Sequence, residues 1–230
     1  MILKKLFILS NLVWSLAVYA VQPIHWIYGT GSNIDEIWTS KAEFYRNDRL
    51  IVSYPGGGGG PETSEKRIIQ KKYYWIGGDG GPTNGAPVPD KAIIEMVSFH
   101  DRKRYRIKVD LPADLEKWIR QEYMVDGKVE RRHWLYFGLA PGGYFEVLLQ
   151  GFRIRPDQLL ARGIAEEVTD DWRDKKYPIG TQQYVVTINN FDKEYGELFK
   201  KHPVPMGMDW APIMDAYRAK QPRTDLEPVN

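Results

Sequence analysis

The residues of this chain that could do chemistry are its histidines, serines and carboxylates, because it contains no cysteine. The lack of cysteine excludes disulfides, thiolate zinc sites, iron–sulfur clusters and thiol nucleophiles. The four histidines are His25, His100, His133 and His202. They form no HExxH or HxH pair, and Ser98, between Met96 and His100, lacks the GxSxG spacing of a nucleophile elbow. The pattern therefore favours neither a metalloenzyme nor a serine hydrolase.

Two adjacent acidic pairs, at 166–167 and 170–171, are the candidates for general acid and base chemistry. A glycosidase needs two carboxylates held about 5–9.5 Å apart across a sugar cleft. The run 166–174 also contains Trp172 and has the composition of a solvated segment. Aromatic residues make up 13% of the chain. Exposed aromatics can stack on sugars, but most of these residues lie at positions that suit a core. Those in regular elements are Trp75, Tyr105, Trp118, Trp134 and Phe145.

Two glycine-rich segments, 56–60 and 77–81, raise the question of phosphate binding. Neither continues into GK[ST] or has GxGxxG spacing before a helix, which phosphate-binding loops require. We therefore predict long surface loops at 55–62 and 77–89. Loops on a rigid sheet often carry binding residues, and Asp79 is a candidate of this kind. Asn84 is a second one.

Basic residues form two local clusters in a chain whose formal net charge is only +2. So small a net charge gives no reason to expect nucleic acid as a partner. One cluster, at 102–108, lies on a predicted hairpin. The other comprises Lys66, Arg67, Lys71 and Lys72. Such patches either steer a partner of opposite charge or form the solvated side of a half-buried sheet.

The N-terminal segment has the pattern of a cleavable signal peptide. Lys4 and Lys5 precede an apolar stretch at 6–18, and Val18 and Ala20 are small residues at the −3 and −1 positions of a cleavage site. We predict cleavage after Ala20 and export to the periplasm. The alternative is a retained anchor helix, although the apolar stretch is shorter than the roughly 20 residues that a membrane span needs. Cleavage would remove two lysines and no acid and leave a formally neutral chain.

Alternation with period two, rich in aromatic and β-branched residues, predicts strands over most of the mature chain. The predicted strands are 22–28, 49–54, 67–76, 133–138, 144–151 and 182–188, and the predicted helices are 112–124, 190–201 and 210–220, with a turn at 29–32 and one or two helical turns at 156–162. The clearest element is a hairpin at 92–111, whose second arm alternates apolar with charged residues. These elements predict an α+β fold, a predominantly antiparallel β-sheet or β-sandwich with a few peripheral helices. We expect a single domain at 21–220, followed by a flexible tail at 221–230.

A tight turn, LAPGG at 139–143, connects the strands at 133–138 and 144–151. Pro141 sets φ at the first central position of a type II turn, and Gly142 accepts the positive φ of the next position. These two residues and Gly143 are predicted to be structural, because the turn fixes the register of the hairpin.

Residues 87–112 and 133–152 resemble an uncharacterised family of exported bacterial proteins, often lipoproteins, in which a strand and a helix lead to a GLAPGG hairpin. The resemblance covers roughly residues 73–152. The chain departs from the family pattern because it has no lipid-bearing cysteine, has Met96–Val97 in place of an aromatic and has Leu149 in place of Trp. The family resembles immunity proteins carried beside type VI secretion phospholipase toxins. The resemblance implies a periplasmic inhibitor of a lipase and brings no catalytic residues.

We therefore expect a secreted, non-enzymatic binding protein, specifically a periplasmic immunity protein that inhibits a type VI secretion lipase or phospholipase. The alternatives are a cell-envelope module that binds carbohydrate or lipid, and a hydrolase with an unfamiliar site. We expect no cofactor, no metal and no nucleic acid, and membrane contact only if the leader is retained. The predicted partner-binding residues are His100, Arg102, Arg104, Arg106, Asp79, Asn84 and Trp172.

Overall fold

A computed structural model of the chain describes residues 24–56, 58–60, 62–169 and 184–229. The predicted signal peptide and Trp172 lie outside these residues. The strands are β1 (Ile27–Ser32), β2 (Ile37–Arg46), β3 (Arg49–Tyr54), β4 (Gly58–Gly59), β5 (Ile76–Pro82), β6 (Lys91–Ser98), β7 (Lys103–Asp110), β8 (Glu122–Val125), β9 (Lys128–Arg131), β10 (Trp134–Ala140), β11 (Tyr144–Gln150), β12 (Gln158–Ile164), β13 (Glu166–Glu167) and β14 (Pro228–Val229). The helices are α1 (Glu65–Gln70), α2 (Leu115–Arg120), α3 (Val185–Lys201) and α4 (Trp210–Ala219).

The strands form two large sheets and one small one. The first sheet has the order β12-β11-β10-β1-β5, and the second has the order β13-β7-β6-β2-β3 with β4 beside β2. The small sheet has the order β14-β8-β9. Among the described strand pairs β1–β10 is parallel and the others are antiparallel. The predicted α+β class, built mainly on antiparallel sheets with few helices, is confirmed.

The first hydrophobic core lies between the two large sheets. Side chains alternate along a strand, so β10 places Leu135, Phe137 and Leu139 in this core. They meet Phe44 of β2 and Ile94 of β6, and the rings of Phe44 and Phe137 lie edge to face with centroids 5.8 Å apart. The two sheets therefore pack as a sandwich.

The second core covers the other face of the first sheet. Tyr136 of β10 and Tyr144 of β11 pack there against Phe191 of α3 and against Trp210 and Met214 of α4. β10 is thus buried on both faces, which explains its nearly unbroken apolar sequence, WLYFGLA. The two long helices form a third layer on the sandwich.

The clearest predictions from the sequence are confirmed. β6 and β7 form the predicted hairpin, with eight successive pairs from Lys91–Asp110 to Ser98–Lys103. β10 and β11 form the second hairpin, and Ala140 pairs with Tyr144 across the LAPGG turn. The predicted β3, most of α3 and α4 also have the expected type.

The LAPGG turn is buried rather than exposed at a tip. Gly142 has φ 78° and ψ 15°, as the second central position of a type II turn requires. Its amide donates to Asp101 Oδ2 at 2.7 Å, and Trp210 Nε1 donates to the carbonyl oxygen of Pro141 at 3.1 Å. A Cβ on Gly142 would lie 2.2 Å from the amide nitrogen of Gly207. The turn therefore joins the β6–β7 hairpin to the start of α4.

Three predicted elements have the wrong type. The predicted strand at 67–76 begins inside α1 and continues into the residues that follow this helix. Lys71 takes a left-handed conformation (φ 52°), which ends the helix. The predicted strand at 182–188 contains the start of α3, where the helical spacing of Ile188, Phe191 and Phe199 decides over the β-branched residues. The predicted helical turns at 156–162 are largely β12, which pairs with β11.

Two further elements also differ from the prediction. β2, at Ile37–Arg46, was not expected, although it is the longest strand described. The predicted helix at 112–124 is limited to α2, because the chain continues into β8.

Residues 29–32 and the first part of 77–89, both of which contain glycines, lie in strands where a turn and a loop were predicted. The predicted turn at 29–32 is part of β1, which begins at Ile27, and the first part of the predicted loop at 77–89 is β5, the antiparallel neighbour of β1. A Cβ on Gly31 would lie 1.9 Å from the carbonyl oxygen of Ile76. Glycine is thus needed here because the backbones of neighbouring strands approach closely. The sequence alone does not distinguish such a glycine from one in a turn.

Residues 221–229, expected to form a flexible tail, contact the rest of the domain. The amide of Thr224 donates to the carbonyl oxygen of Arg155 at 3.0 Å, and Arg132 donates to Asp225 Oδ2 at 3.0 Å. β14 then pairs with β8. Within the described residues we find no helix with the length and apolar character needed to span a membrane.

Candidate partner-binding surface

The basic face of the β6–β7 hairpin is largely occupied by contacts inside the protein. Arg104 is only 1% exposed and donates to the hydroxyl oxygen of Tyr184 at 2.6 Å, so its predicted place on a solvated face is wrong. Arg106 donates to Glu95 Oε1 at 2.9 Å. Arg102 is paired with Asp192 of α3. Of these arginines Arg102 has a side chain that is substantially exposed, and it too holds the hairpin against α3.

A buried polar network surrounds the hairpin turn. Asp35, which is 1% exposed, accepts from Ser98 Oγ at 2.5 Å and from the amide of His100 at 2.9 Å. His100 Nδ1 lies 2.9 Å from Asp101 Oδ1, and Tyr105 donates its hydroxyl to Asp101 Oδ2 at 2.9 Å. The network thus fixes the hairpin turn against the loop between β1 and β2.

The acids and the imidazole of this network have shifted pKa values. Burial raises the pKa of Asp35 to about 7, and the His100 charge and the hydrogen bond from Ser98 oppose this rise only in part. Burial also raises the pKa of Asp101, but hydrogen bonds from His100, Tyr105 and the turn lower it overall. For His100, burial lowers the pKa, while the bond to Asp101 and the charge of Asp35 raise it overall.

The network contains the residue types of a catalytic triad without its arrangement. A triad needs the serine hydroxyl hydrogen-bonded to the histidine and the histidine oriented by a carboxylate. Here the buried Ser98 hydroxyl donates to Asp35, and His100 contacts Asp101 instead. Across the described residues no three His, Asp or Glu side chains are grouped so that they could hold a metal ion.

A second buried network joins α4 to the first sheet. Glu146 of β11 is fully buried and accepts from Trp75 Nε1 at 2.8 Å and from the Tyr144 hydroxyl at 2.6 Å. Its cationic partner is Arg218 of α4, which also pairs with the half-exposed Asp215. A charge at the centre of a strand is here satisfied by three donors, so its role is structural.

An open cleft lies where the free edges of the two large sheets approach one another. Its volume is about 640 Å³. One wall is the edge strand β3 from Ile51 to Tyr54, and the other is the connection from Pro82 to Pro87. Tyr28 of β1 also lines the cleft, and its ring lies 6.3 Å from that of Tyr54. The cleft is therefore lined by aromatic and backbone groups.

Hydrogen bonds hold the connection at 82–87 in place. Thr83 Oγ1 donates to the carbonyl oxygen of Trp26 at 2.6 Å, and Trp26 Nε1 donates to the carbonyl oxygen of Ala86 at 2.9 Å. The amide of Ala86 donates to the carbonyl oxygen of Thr83 at 3.0 Å. Trp26 itself is buried in the first core. This wall of the cleft is thus anchored to the core.

Asp79 and Asn84, both predicted as binding residues, lie at this cleft or beside it. Asn84 is exposed and lines the cleft with a left-handed backbone (φ 52°). Asp79 Oδ1 accepts from the amide of Gly80 at 2.8 Å, whereas its buried Oδ2 has no donor among the described residues. Burial and the charge of Asp79 raise the pKa of Tyr28 to about 12.

The predicted site residues fall on two separate surfaces. β3 pairs with residues 42–46 of β2, beside the Lys91 end of β6, whereas the turn that carries His100 and Arg102 follows the other end of β6. The sequence reasoning missed Tyr28, Tyr54 and the buried Asp35. The sequence could have indicated the two tyrosines, because Tyr28 directly precedes a glycine and Tyr54 lies two residues before the glycine-rich segment 56–60.

These features define a β-rich α+β protein with an open cleft at the edge of its sandwich. A profile of the family described as protein of unknown function (DUF2931) matches residues 8–207, and the chain therefore belongs to this family. No curated protein and no solved structure matches the chain.

Proposed function

We propose that this protein is an envelope binding protein that inhibits a partner, specifically a periplasmic immunity protein directed at a type VI secretion lipase or phospholipase. The observation that supports the binding role is the cleft between β3 and the connection at 82–87. The cleft favours a protein partner because it lies at the edge of a sheet. The compartment and the class of toxin rest on the leader pattern and the family resemblance described for the sequence.

β3 offers an edge to which a partner can add a strand. It pairs with β2 on one side, and on the other side no described strand pairs with it. An unpaired edge presents a row of free amides and carbonyls, and extended peptides commonly bind to such edges. Leu50, Ile51 and Val52 make the strand apolar, and Leu50 is 51% exposed. A partner strand would gain both main-chain hydrogen bonds and apolar contacts.

An inhibitory role also agrees with the state of the residues that could do chemistry. Ser98, His100 and Asp101 bind one another, Asp35 and Tyr105, and Glu146 holds α4 through Arg218. These groups are engaged in the fold. The cleft instead offers Asn84, Tyr54 and backbone groups, which are suited to contact rather than to bond cleavage.

The test first asks whether the gene beside this one encodes a lipase-like protein. Binding to that protein is then measured by isothermal titration calorimetry, together with inhibition of its lipase activity. Ser53 is exposed and lines the cleft, so Ser53→Arg should fill the space beside β3 and weaken binding at least tenfold. The matched control is Val129→Arg, on the exposed face of the edge strand β9 in the small sheet. It should bind like the unchanged protein.

One result would reject the immunity function, and a second would reject the cleft as the surface that serves it. Absence of binding by the unchanged protein would remove the immunity function. Equal affinity of the Ser53→Arg and unchanged proteins would show that a different surface binds the toxin. Binding of a glycan that is abolished by Ser53→Arg would favour the envelope carbohydrate module instead.

A further inference from the structure

A groove separate from the cleft lies between the residues that follow α1 and one side of α4. Its volume is about 540 Å³. The lining residues are Lys71, Lys72, Tyr73, Tyr74, Pro212, Ile213, Ala216, Tyr217 and Lys220. The rings of Tyr74 and Tyr217 lie 6.3 Å apart, with an angle of 31° between their planes. The groove is thus lined by aromatic and aliphatic side chains together with three lysines.

A smaller polar pocket adjoins the groove. It has a volume of about 390 Å³ and shares Lys72 and Tyr74 with the groove. Its other lining residues include Lys66 and Arg67. Arg67 is engaged in the fold, because it donates to the carbonyl oxygens of Asn33 and Glu62 at 2.9 Å each. Its guanidinium lies 5.5 Å from the centre of the Tyr74 ring, which holds that ring in place.

The charge of this surface is of one sign. Lys66, Lys71, Lys72 and Lys220 line the groove or the pocket, and the lining residues of both include no Asp or Glu. Within the described part of the chain, none of the four lysines has an ion pair. Four lysines with no ion pair to a described residue, in a chain whose formal net charge is only +2, form a local field that attracts an anionic partner.

We propose that this groove docks an acidic segment of a partner protein. An aromatic or aliphatic side chain of the segment would lie between Tyr74 and Tyr217, and carboxylates on either side of it would meet Lys72 and Lys220. Aromatic anchors in a groove with complementary charges at the rim are the usual basis of such recognition. The proposal uses residues outside the cleft and does not depend on the immunity function.

The shape of the groove favours a protein segment over other anionic partners. Sites for small molecules usually enclose most of the ligand, whereas Tyr74 remains 40% exposed in this groove. Membrane-binding surfaces bury a projecting apolar face in the lipid. Here the apolar residues line a concave groove between two elements of the fold, where a flat bilayer would not reach them.

The test uses a fluorescein-labelled peptide of Asp and Glu residues around one central Trp, added to the full purified chain. Binding is followed by fluorescence anisotropy and mapped by amide NMR shifts, which should concentrate at residues 71–74 and 212–220. Lys72→Glu should weaken binding about tenfold, which corresponds to about 1.4 kcal/mol. Lys108→Glu is the matched control, because Lys108 is an exposed lysine of β7 outside the groove. It should change binding less than twofold.

A second peptide, with Gly in place of Trp, should bind more weakly than the first, since it lacks the apolar anchor. Thermal unfolding of Lys72→Glu checks that this exposed substitution leaves the fold intact. The proposal is overturned if the Trp peptide does not bind, or if Lys72→Glu and Lys108→Glu weaken it equally. It is also overturned if vesicles of phosphatidylcholine and phosphatidylglycerol bind through Lys72 while the peptide does not.

Discussion

The ion pair between Glu146 and Arg218 gives the sharpest test of how this fold is held together. Arg218→Met removes the cation and leaves the fully buried Glu146 with the neutral donors Trp75 and Tyr144. Removing one partner of a buried pair leaves an uncompensated charge, which costs about 3–5 kcal/mol. Because two neutral donors remain, we expect the free energy of unfolding to fall by about 3 kcal/mol, the lower end of that range.

The reverse substitution should cost less. Glu146→Gln removes the charge in the core but leaves Arg218 with a second partner, the half-exposed Asp215. The expected loss is about 1.5 kcal/mol, the value of a hydrogen bond to a charged group. The double variant should be more stable than Arg218→Met alone, since no charge then stays buried without a partner.

The assay is urea unfolding at pH 7, followed by tryptophan fluorescence, with the slope m used to confirm that the denatured states are comparable. Arg223→Met is the control, because Arg223 pairs with Asp225 at the surface with its side chain 64% exposed. Such pairs contribute little, and the control should lie within about 0.5 kcal/mol of the unchanged protein. The reasoning is refuted if Arg218→Met loses less than 1 kcal/mol, or if Glu146→Gln loses more than Arg218→Met.

Two further predictions concern the pH response and the LAPGG turn. Burial raises the pKa of Asp35 from 3.8 to about 7, so its contribution stabilises the folded state at low pH and is lost as the pH rises from about 4 to 7. Asp35→Asn lacks the titrating carboxyl and therefore does not lose this stability. In urea unfolding, the free energy of unfolding of the variant minus that of the unchanged protein should be larger at pH 8 than at pH 4, by at most about 4 kcal/mol. An equal difference at both pH values contradicts the assignment. Gly142→Ala should destabilise more than Gly85→Ala: the two have nearly equal φ, 78° and 77°, but an added Cβ meets Gly207 only at the first. Each should lose about 1–2 kcal/mol for the left-handed backbone, and equal losses in thermal unfolding would show that the contact with Gly207 is unimportant.

The sequence was sufficient where one local pattern determines an element. The β6–β7 hairpin was predictable because apolar and charged residues alternate in its second arm, and the β10–β11 hairpin because Pro141 and Gly142 have specific turn preferences. Local pattern failed where long-range packing decides. Val185 and Val186 are β-branched residues of the kind typical of strands. They nevertheless begin α3, whose later residues Phe191 and Phe199 face the second core.

The candidate sites were predictable only in part, for a related reason. Asp79 and Asn84, chosen because loops on a rigid sheet often carry binding residues, lie beside the cleft and in its lining respectively, and their binding role stays a prediction. Arg104 was placed wrongly because its partner, Tyr184, is 80 residues away. Likewise nothing near Glu146 in the sequence indicates that Trp75 and Arg218 will surround it. A buried charge can be recognised only when its distant partners are known.

The position of β1 within the first sheet has a consequence for the order in which the chain folds. Its neighbours are β5 and β10, whose first residues lie 49 and 107 positions after Ile27. A chain emerging from its N-terminus therefore cannot pair both edges of β1 until residues as far as Leu135 have been made. Contacts between such distant residues slow folding, because the intervening loop must close first. Assembly of this sheet is thus a late event, and a chain cut before β10 cannot complete it.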